Sequence, residues 1–203
     1  MKKSSPRERY RTELRAEILE AARRAFLRDG YQSVSMRMLA ERIGCSHGNL
    51  YLHFKNKEEL FDSLVEASFA QFSAGLQRLL QSERNVDPVR LIKTASRAYV
   101  DFGLRNPGAY EFAFVLRRPG RARARKPHAA YAAVRALVQR CIDEKRFRAV
   151  DADLAAQAIW AALHGITSLL LFRPSFPWAE REALIRRVID DAVDGLVRKP
   201  RPG

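Results

Sequence analysis

The sequence predicts an all-α protein, and three observations carry that expectation. Apolar residues recur three and four apart through most of the chain, which is the period of a helix with one buried face. The nine prolines and ten glycines stand mostly at the breaks between these stretches, where they stop one helix or start the next. Nothing reads as a run of strands. At 203 residues with 47% apolar composition, the chain can bury one good core or two small ones. About nine helices are expected, in a small front domain and a larger second one.

Taken in order, residues 1–11 are basic and lack periodic apolar positions, so they read as a flexible arm. From Thr12, the residues Leu14, Ile18, Ala22, Ala25 and Phe26 share one helical face, and Gly30 is a C-terminal stop. Ser35 caps a short helix that turns Leu39, Ala40 and Ile43 inward before Gly44. Past the stretch 43–60, a long helix is striped by Phe61, Leu64, Val65, Ser68, Phe72, Leu76 and Leu79. It is long enough to belong to two domains, so a tilt in it would move the front one. Asp87 and Pro88 open the next helix, which carries Leu91, Ile92, Ala95, Tyr99 and Phe102 up to Asn106 and Pro107. Ala109 to Leu116 alternates like a strand but has no strand partner, and reads as a short helix. Pro127 restarts a helix that runs through Tyr131, Leu137 and Cys141 to about Phe147, and Asp151 caps another. Trp178 to Val197 form the last helix, ahead of a disordered tail at 198–203.

Charge is placed unevenly. The net charge is +14, with 13 basic and six acidic residues between Met1 and Lys57. Most of the remaining excess lies in Arg117, Arg118, Arg121, Arg123, Arg125 and Lys126, a run that reads as a solvated mobile loop or a second polyanion surface. A basic front suits nucleic-acid phosphates, though a high isoelectric point alone fits any polyanion or an acidic membrane surface.

The stretch Ile43 to Leu60, IGCSHGNLYLHFKNKEEL, is the most informative. Ser46 is an N-cap, so the next backbone N–H groups point outward with the positive end of the helix dipole behind them. His47, Gly48 and Asn49 fall in that first turn, where a helix entering the major groove meets base edges. Asn49 has the chemistry to read an adenine, and Gly48 allows close backbone approach. Asn56 and Glu59 form a capping box for the following helix, whose first turn carries Lys57.

Gly44, Cys45, Ser46, Asn49, Leu50, Tyr51, His53, Phe54 and the run from Lys57 to Leu60 together resemble the helix-turn-helix of TetR-type transcriptional regulators. Two positions depart from that pattern: Cys45 stands where valine is usual, and Leu52 where a polar or basic side chain is common. The resemblance implies a helix-turn-helix DNA-binding domain over 12–57 and a ligand-binding and dimerisation domain over 58–197. It places Ser33 or Ser35, with Arg37, at phosphate-contacting positions, while Ser46, Tyr51, His53, Lys55 and Lys57 would hold the head on the backbone. A second motif, Trp160, His164 and Gly165, resembles the Trp-His-Gly class of C-terminal domain in such regulators. Trp160 and His164 share a helical face and line a ligand cavity or belong to the core. Other candidates for the ligand wall are Tyr99, Phe102, Tyr110 and Phe114, which favour an apolar or aromatic molecule.

In that family the last two helices form a four-helix bundle with a second copy. The candidate interface is Ile159, Leu163, Ile166 and Leu170 from one, with Leu184, Val188, Ile189, Ala192, Val193 and Leu196 from the other. A palindromic operator in double-stranded DNA also demands a symmetric dimer, because two heads must meet half-sites about 34–36 Å apart. The expected protein is therefore a homodimeric, ligand-responsive repressor. A sequence-independent architectural DNA binder is the alternative.

An enzyme fares poorly, since His164 has no nucleophile or carboxylate partner at helical spacing, and no catalytic residue is assigned. No metal site or cofactor is expected. Cys45 and Cys141 are far apart and in no ligand spacing, which suits reduced thiols in the cytoplasm. Leu154 to Phe172 lacks Asp, Glu, Lys and Arg and could span a bilayer by length. Its Gln157, His164, Gly165, Thr167 and Ser168 favour a core helix, so no membrane association is expected.

Overall fold

The computed structural model describes residues 5–82, 86–116 and 129–198. Among them are nine α-helices and one π-helical turn: α1 (Pro6–Ser33), α2 (Met36–Ile43), α3 (His47–His53), α4 (Lys57–Ser82), α5 (Pro88–Arg105), α6 (Pro107–Tyr110), the π-helical Glu111–Val115, α7 (Ala129–Asp143), α8 (Ala152–Phe172) and α9 (Arg181–Asp194). The all-α expectation holds, and the basic run from Arg117 to Lys126 lies outside the described residues.

The chain divides into two compact units. The first runs to Ser68 and takes in the segment that begins at Glu111, and the second holds 69–110 with the chain from 122 onward. The division thus falls inside α4, past the 57/58 boundary expected from the sequence. Helix α1 also starts earlier than Thr12. Ser5 accepts a hydrogen bond from the Glu8 N–H while the Glu8 carboxylate accepts from the Ser5 N–H, and Pro6 fills the first helical position. This reciprocal cap satisfies two orphan donors and holds a helix that has no apolar stripe at its start. Of the proposed arm, residues 1–4 lie outside the described residues.

In the first unit, Gly30 at φ 77° breaks α1, and a last turn continues to Ser33. Ile18, Ala22 and Phe26 are fully buried, together with Leu39, Leu50 and Leu60. Phe26 and Phe112 both pack on Phe61, with ring centroids 5.5 and 5.4 Å away. The π-helical turn that presents Phe112 replaces the regular helix expected over 109–116.

In the second unit, α8 packs against α5, α7 and α9. It is the one described helix long and apolar enough to cross a membrane, and its Ala155, Ala156, Ile159 and Leu163 are buried against those neighbours. Helices α5 and α8 meet at Gly103, where a Cβ would lie 2.5 Å from Thr167 Cγ2, so only glycine permits this approach. Ion pairs fasten α5 to α9: Lys93 reaches Asp190 and Asp194, and Arg97 reaches Glu182. The last helix is shorter than expected, starting at Arg181 because Glu180 accepts hydrogen bonds from the N–H groups of Glu182 and Ala183. Beyond it, Phe147 and Val197 form an antiparallel bridge, with Arg198 N–H donating to the Arg146 carbonyl. Residue 198 therefore belongs to the fold and not to a disordered tail.

Five of the ten residues expected at a dimer interface are already buried within the single chain. Ile159, Leu163, Ile166, Ile189 and Val193 are buried within the chain's own bundle, in which α5 and α7 pack on α8, and α5 and α8 pack on α9. Leu170, Leu184, Val188, Ala192 and Leu196 stay half-exposed.

Candidate functional site

Helix α3 is short, and its ends are set by local chemistry. The Ser46 hydroxyl accepts from the Asn49 N–H at 3.1 Å, and Phe54 ends the helix with its N–H on the Leu50 carbonyl. The α2–α3 turn is made by Gly44 at φ 75°, a left-handed conformation that glycine adopts without strain. Leu50 and Phe54 are buried and anchor α3, with the Arg15 guanidinium 4.8 Å above the Phe54 ring. His47, Gly48, Tyr51 and Leu52 are exposed, and Asn49 and His53 are half-buried.

Beside α3 lies an open cleft of about 470 Å³. Its wall brings together Ser33, Ser35, Arg37, His47, Tyr51 and Lys57, which come from four helix ends. Gln32 and Asn56 also line it, and sequence reasoning missed both. The signal for Asn56 was present, because a capping residue at a helix start faces whatever docks there. Ser46, Gly48, Asn49, His53 and Lys55 do not line this cleft.

The individual groups differ in how free they are. Ser35 Oγ is engaged in capping α2, accepting from the Met38 N–H at 3.2 Å. Arg37 pairs with Glu41 on an exposed face at 3.0 Å, a weak pair that an incoming phosphate can replace. Lys57 is committed more deeply than expected: its Nζ donates to the Tyr31 carbonyl at 3.0 Å and lies 4.3 Å from the Tyr31 ring centroid. The capping box is also shifted. Asn56 accepts from the Glu59 N–H, but Glu59 accepts from the Lys55 N–H and not from that of Asn56. Burial, with Arg11 and Arg15 nearby, lowers the His53 pKa, so its ring is neutral and offers one N–H donor rather than a cation.

The second unit concentrates different chemistry. Tyr99 OH lies 3.2 Å and Tyr110 OH 2.7 Å from His164 Nδ1. Trp160 Nε1 donates to Tyr99 OH at 3.2 Å, and Tyr110 OH is 3.1 Å from Ser168 Oγ. Both tyrosines are buried, and burial lowers the His164 pKa, so the ring stays neutral and Nδ1 can accept. Phe72 packs on Tyr99 and Phe102. Five residues expected at a ligand wall are thus brought into one unit, while Phe114 belongs to the π-helical segment that clusters with the first. Trp160 is 43% exposed, so it does not belong to the core. Among the described residues no cluster of His, Cys, Asp and Glu could hold a metal.

A capped, outward-facing helix on a three-helix head, joined to a larger helical unit, defines a helix-turn-helix regulator class. Residues 18–64 match the family model for bacterial regulatory proteins of the tetR family, and residues 92–192 match that of the tetracyclin repressor-like C-terminal domain. The chain belongs to the TetR family of transcriptional regulators. It is 40% identical over 77 residues to the HTH-type transcriptional regulator TtgR of Pseudomonas putida, covering 38% of this chain and 36% of that protein. It is 42% identical over 59 residues to the HTH-type transcriptional repressor AcnR of Corynebacterium diphtheriae, covering 29% and 31%. The chain therefore spans about a third of the length of the curated relatives it matches. Solved structures extend the likeness of fold over the whole chain. A Rhodococcus protein of unknown function superposes with a TM-score of 0.75 at 23% identity, covering 91% of this chain and 96% of that one. The TetR family transcriptional regulator PfmR from Thermus thermophilus gives 0.67 at 24% identity, covering 97% and 100%.

Proposed function

We propose that this protein is a homodimeric repressor that binds a palindromic operator in the cytoplasm and leaves it when a small apolar or aromatic molecule binds the second unit. The observation that carries the reading is α3 itself, with Leu50 buried and His47, Gly48, Tyr51 and Leu52 turned to solvent. A helix whose polar entry faces outward meets base edges in the major groove. His47, Gly48 and Asn49 read bases, while Ser33, Ser35, Arg37, Ser46, Tyr51, His53, Lys55 and Lys57 fix the head on phosphates. Of these, Lys57 acts through the Tyr31 carbonyl it already holds, as a support for the α4 start.

Dimerisation is supported by the apolar surface left on α8 and α9, where Leu169 and Phe172 are exposed and Leu170, Leu184, Val188, Ala192 and Leu196 half-exposed. The ligand reading rests on Tyr99, Phe102, Tyr110, Trp160 and His164, whose aromatic faces and one polar centre suit a flat apolar molecule. Trp160, His164 and Gly165 keep the Trp-His-Gly assignment as part of this proposal. Repression is supported by the likeness to the transcriptional repressor AcnR, and release requires a ligand that favours the conformation with unmatched heads.

Selection of preferred duplexes from a random pool tests the reading. The winner and a scrambled control are then titrated at two salt concentrations. A palindromic winner bound at least about a thousandfold more tightly than the control is expected, with preference relaxed by Asn49→Ala. Equal affinity for both, lost together with added salt, would establish a sequence-independent DNA binder instead.

A further inference from the structure

Leu52 is 73% exposed, the largest exposure of any large apolar side chain among the described residues. Scattered apolar residues on a surface need no explanation, but this one stands on the reading helix. Successive residues of a helix are about 100° apart, so His47, Tyr51, Gly48 and Leu52 fall within an arc of about 140°. The same four are the exposed residues of α3, and Leu50 anchors the other side.

The arc has two edges. On one, His47 and Tyr51 pack edge to face with ring centroids 4.8 Å apart, presenting ring N–H and phenol groups. On the other stand Gly48 and Leu52, four residues apart. A helical side chain leans toward the N-terminus and covers the turn before its own Cα, so Leu52 overhangs Gly48. Among the described residues nothing lies within 4 Å of the place a Gly48 Cβ would take, which leaves an open apolar surface of one isobutyl group and bare backbone. A thymine presents a C5-methyl group beside its O4 acceptor in the major groove, and it is the base whose edge offers an apolar group.

We propose that Leu52 is a specificity-determining residue that selects thymine in each half-site by contact with the C5-methyl group. The adjoining His47 and Tyr51 edge supplies a donor for O4. This assignment rests on the base-reading role of α3 and adds to it a position and a base.

The test uses the full chain and the duplex it enriches from a random pool. Each thymine is replaced in turn by uracil, which keeps the pairing and groove hydrogen-bonding groups and removes only the methyl. At one symmetric position, uracil weakens wild-type binding about fourfold per half-site, the worth of one buried methyl-sized group. Leu52→Ala binds the thymine and uracil duplexes alike, and Leu52→Met retains the discrimination. Because Leu52 is exposed, both variants keep the wild-type urea midpoint, so a loss reports recognition and not unfolding. An enriched duplex whose affinity ignores every uracil, or full thymine preference in Leu52→Ala, overturns this assignment alone. A pool with no enriched duplex overturns the base-reading role of α3 and this assignment with it.

Discussion

Two histidine–tyrosine pairs sit in the two units, and they are used in opposite ways. His47 and Tyr51 are one helical turn apart on α3, ring against ring and open to solvent. His164 and Tyr110 come from different helices, stack at 5.6 Å with 25° between planes, and share a 2.7 Å hydrogen bond beneath the surface. The first pair costs the fold nothing to leave available. Burial makes the second pair's polar atoms expensive unless they are satisfied, so Tyr99, Trp160 and Ser168 are drawn into the same network. One pair of groups is thus left open to solvent on α3 and made cohesive by burial in the second unit.

The largest way to break that contrast is at Tyr110. Tyr110→Ala should lose about 3–5 kcal/mol of stability, the cost of a large buried ring, and Tyr110→Phe about 1–3 kcal/mol, because His164 and Ser168 keep their polar atoms and lose a partner. Urea denaturation followed by circular dichroism measures both; a Tyr110→Phe midpoint equal to wild type would mean the network contributes little. A smaller effect comes from pH. The His164 pKa is lowered by burial, and in the unfolded chain the ring takes up its proton near its ordinary value of about 6.5. Between that value and the lower native one the unfolded state binds more protons, so stability falls as the pH falls through this window. His53, lowered chiefly by burial, adds a contribution of the same sign. Thermal melting temperatures should drop between about pH 7 and pH 5.5, with a shallower drop in His164→Gln; equal slopes would assign the effect elsewhere. The smallest expected change is in Tyr51→Phe, whose stability should stay within about 0.5 kcal/mol of wild type while DNA affinity declines. An unchanged affinity would remove Tyr51 from the interface.

What could be read from the chain followed the range of the interaction. Ser35, Ser46, Asp87 and Asp151 were legible as caps, since capping is settled within three residues, and each accepts the backbone N–H expected of it. The cap at Ser5 and Glu8 was equally local, but the absence of an apolar stripe after Pro6 hid it. Periodicity identified the apolar faces of α8 and α9, yet it carries no information on which neighbour covers them: Ile159 and Val193, expected at a partner, are buried in a bundle in which α5 and α7 pack on α8 and α5 packs on α9. The setting of Lys57 was out of reach for the same reason: its acceptor, the Tyr31 carbonyl, is 26 residues away in sequence. At the head, the motif pointed to His47, Tyr51 and Lys57 at the cleft but not to Gln32, which lies two residues past the break in α1 at Gly30.

The two cysteines make the protein convenient to label. Cys141 is fully buried, and its thiol is pushed up to about 12, chiefly by burial, so at neutral pH almost none of it is the reactive thiolate. Cys45 is half-buried in the turn one residue ahead of the α3 cap. A maleimide dye applied to the native chain would therefore attach beside α3 without any cysteine being engineered in or out, and its fluorescence would report directly whether DNA meets that helix.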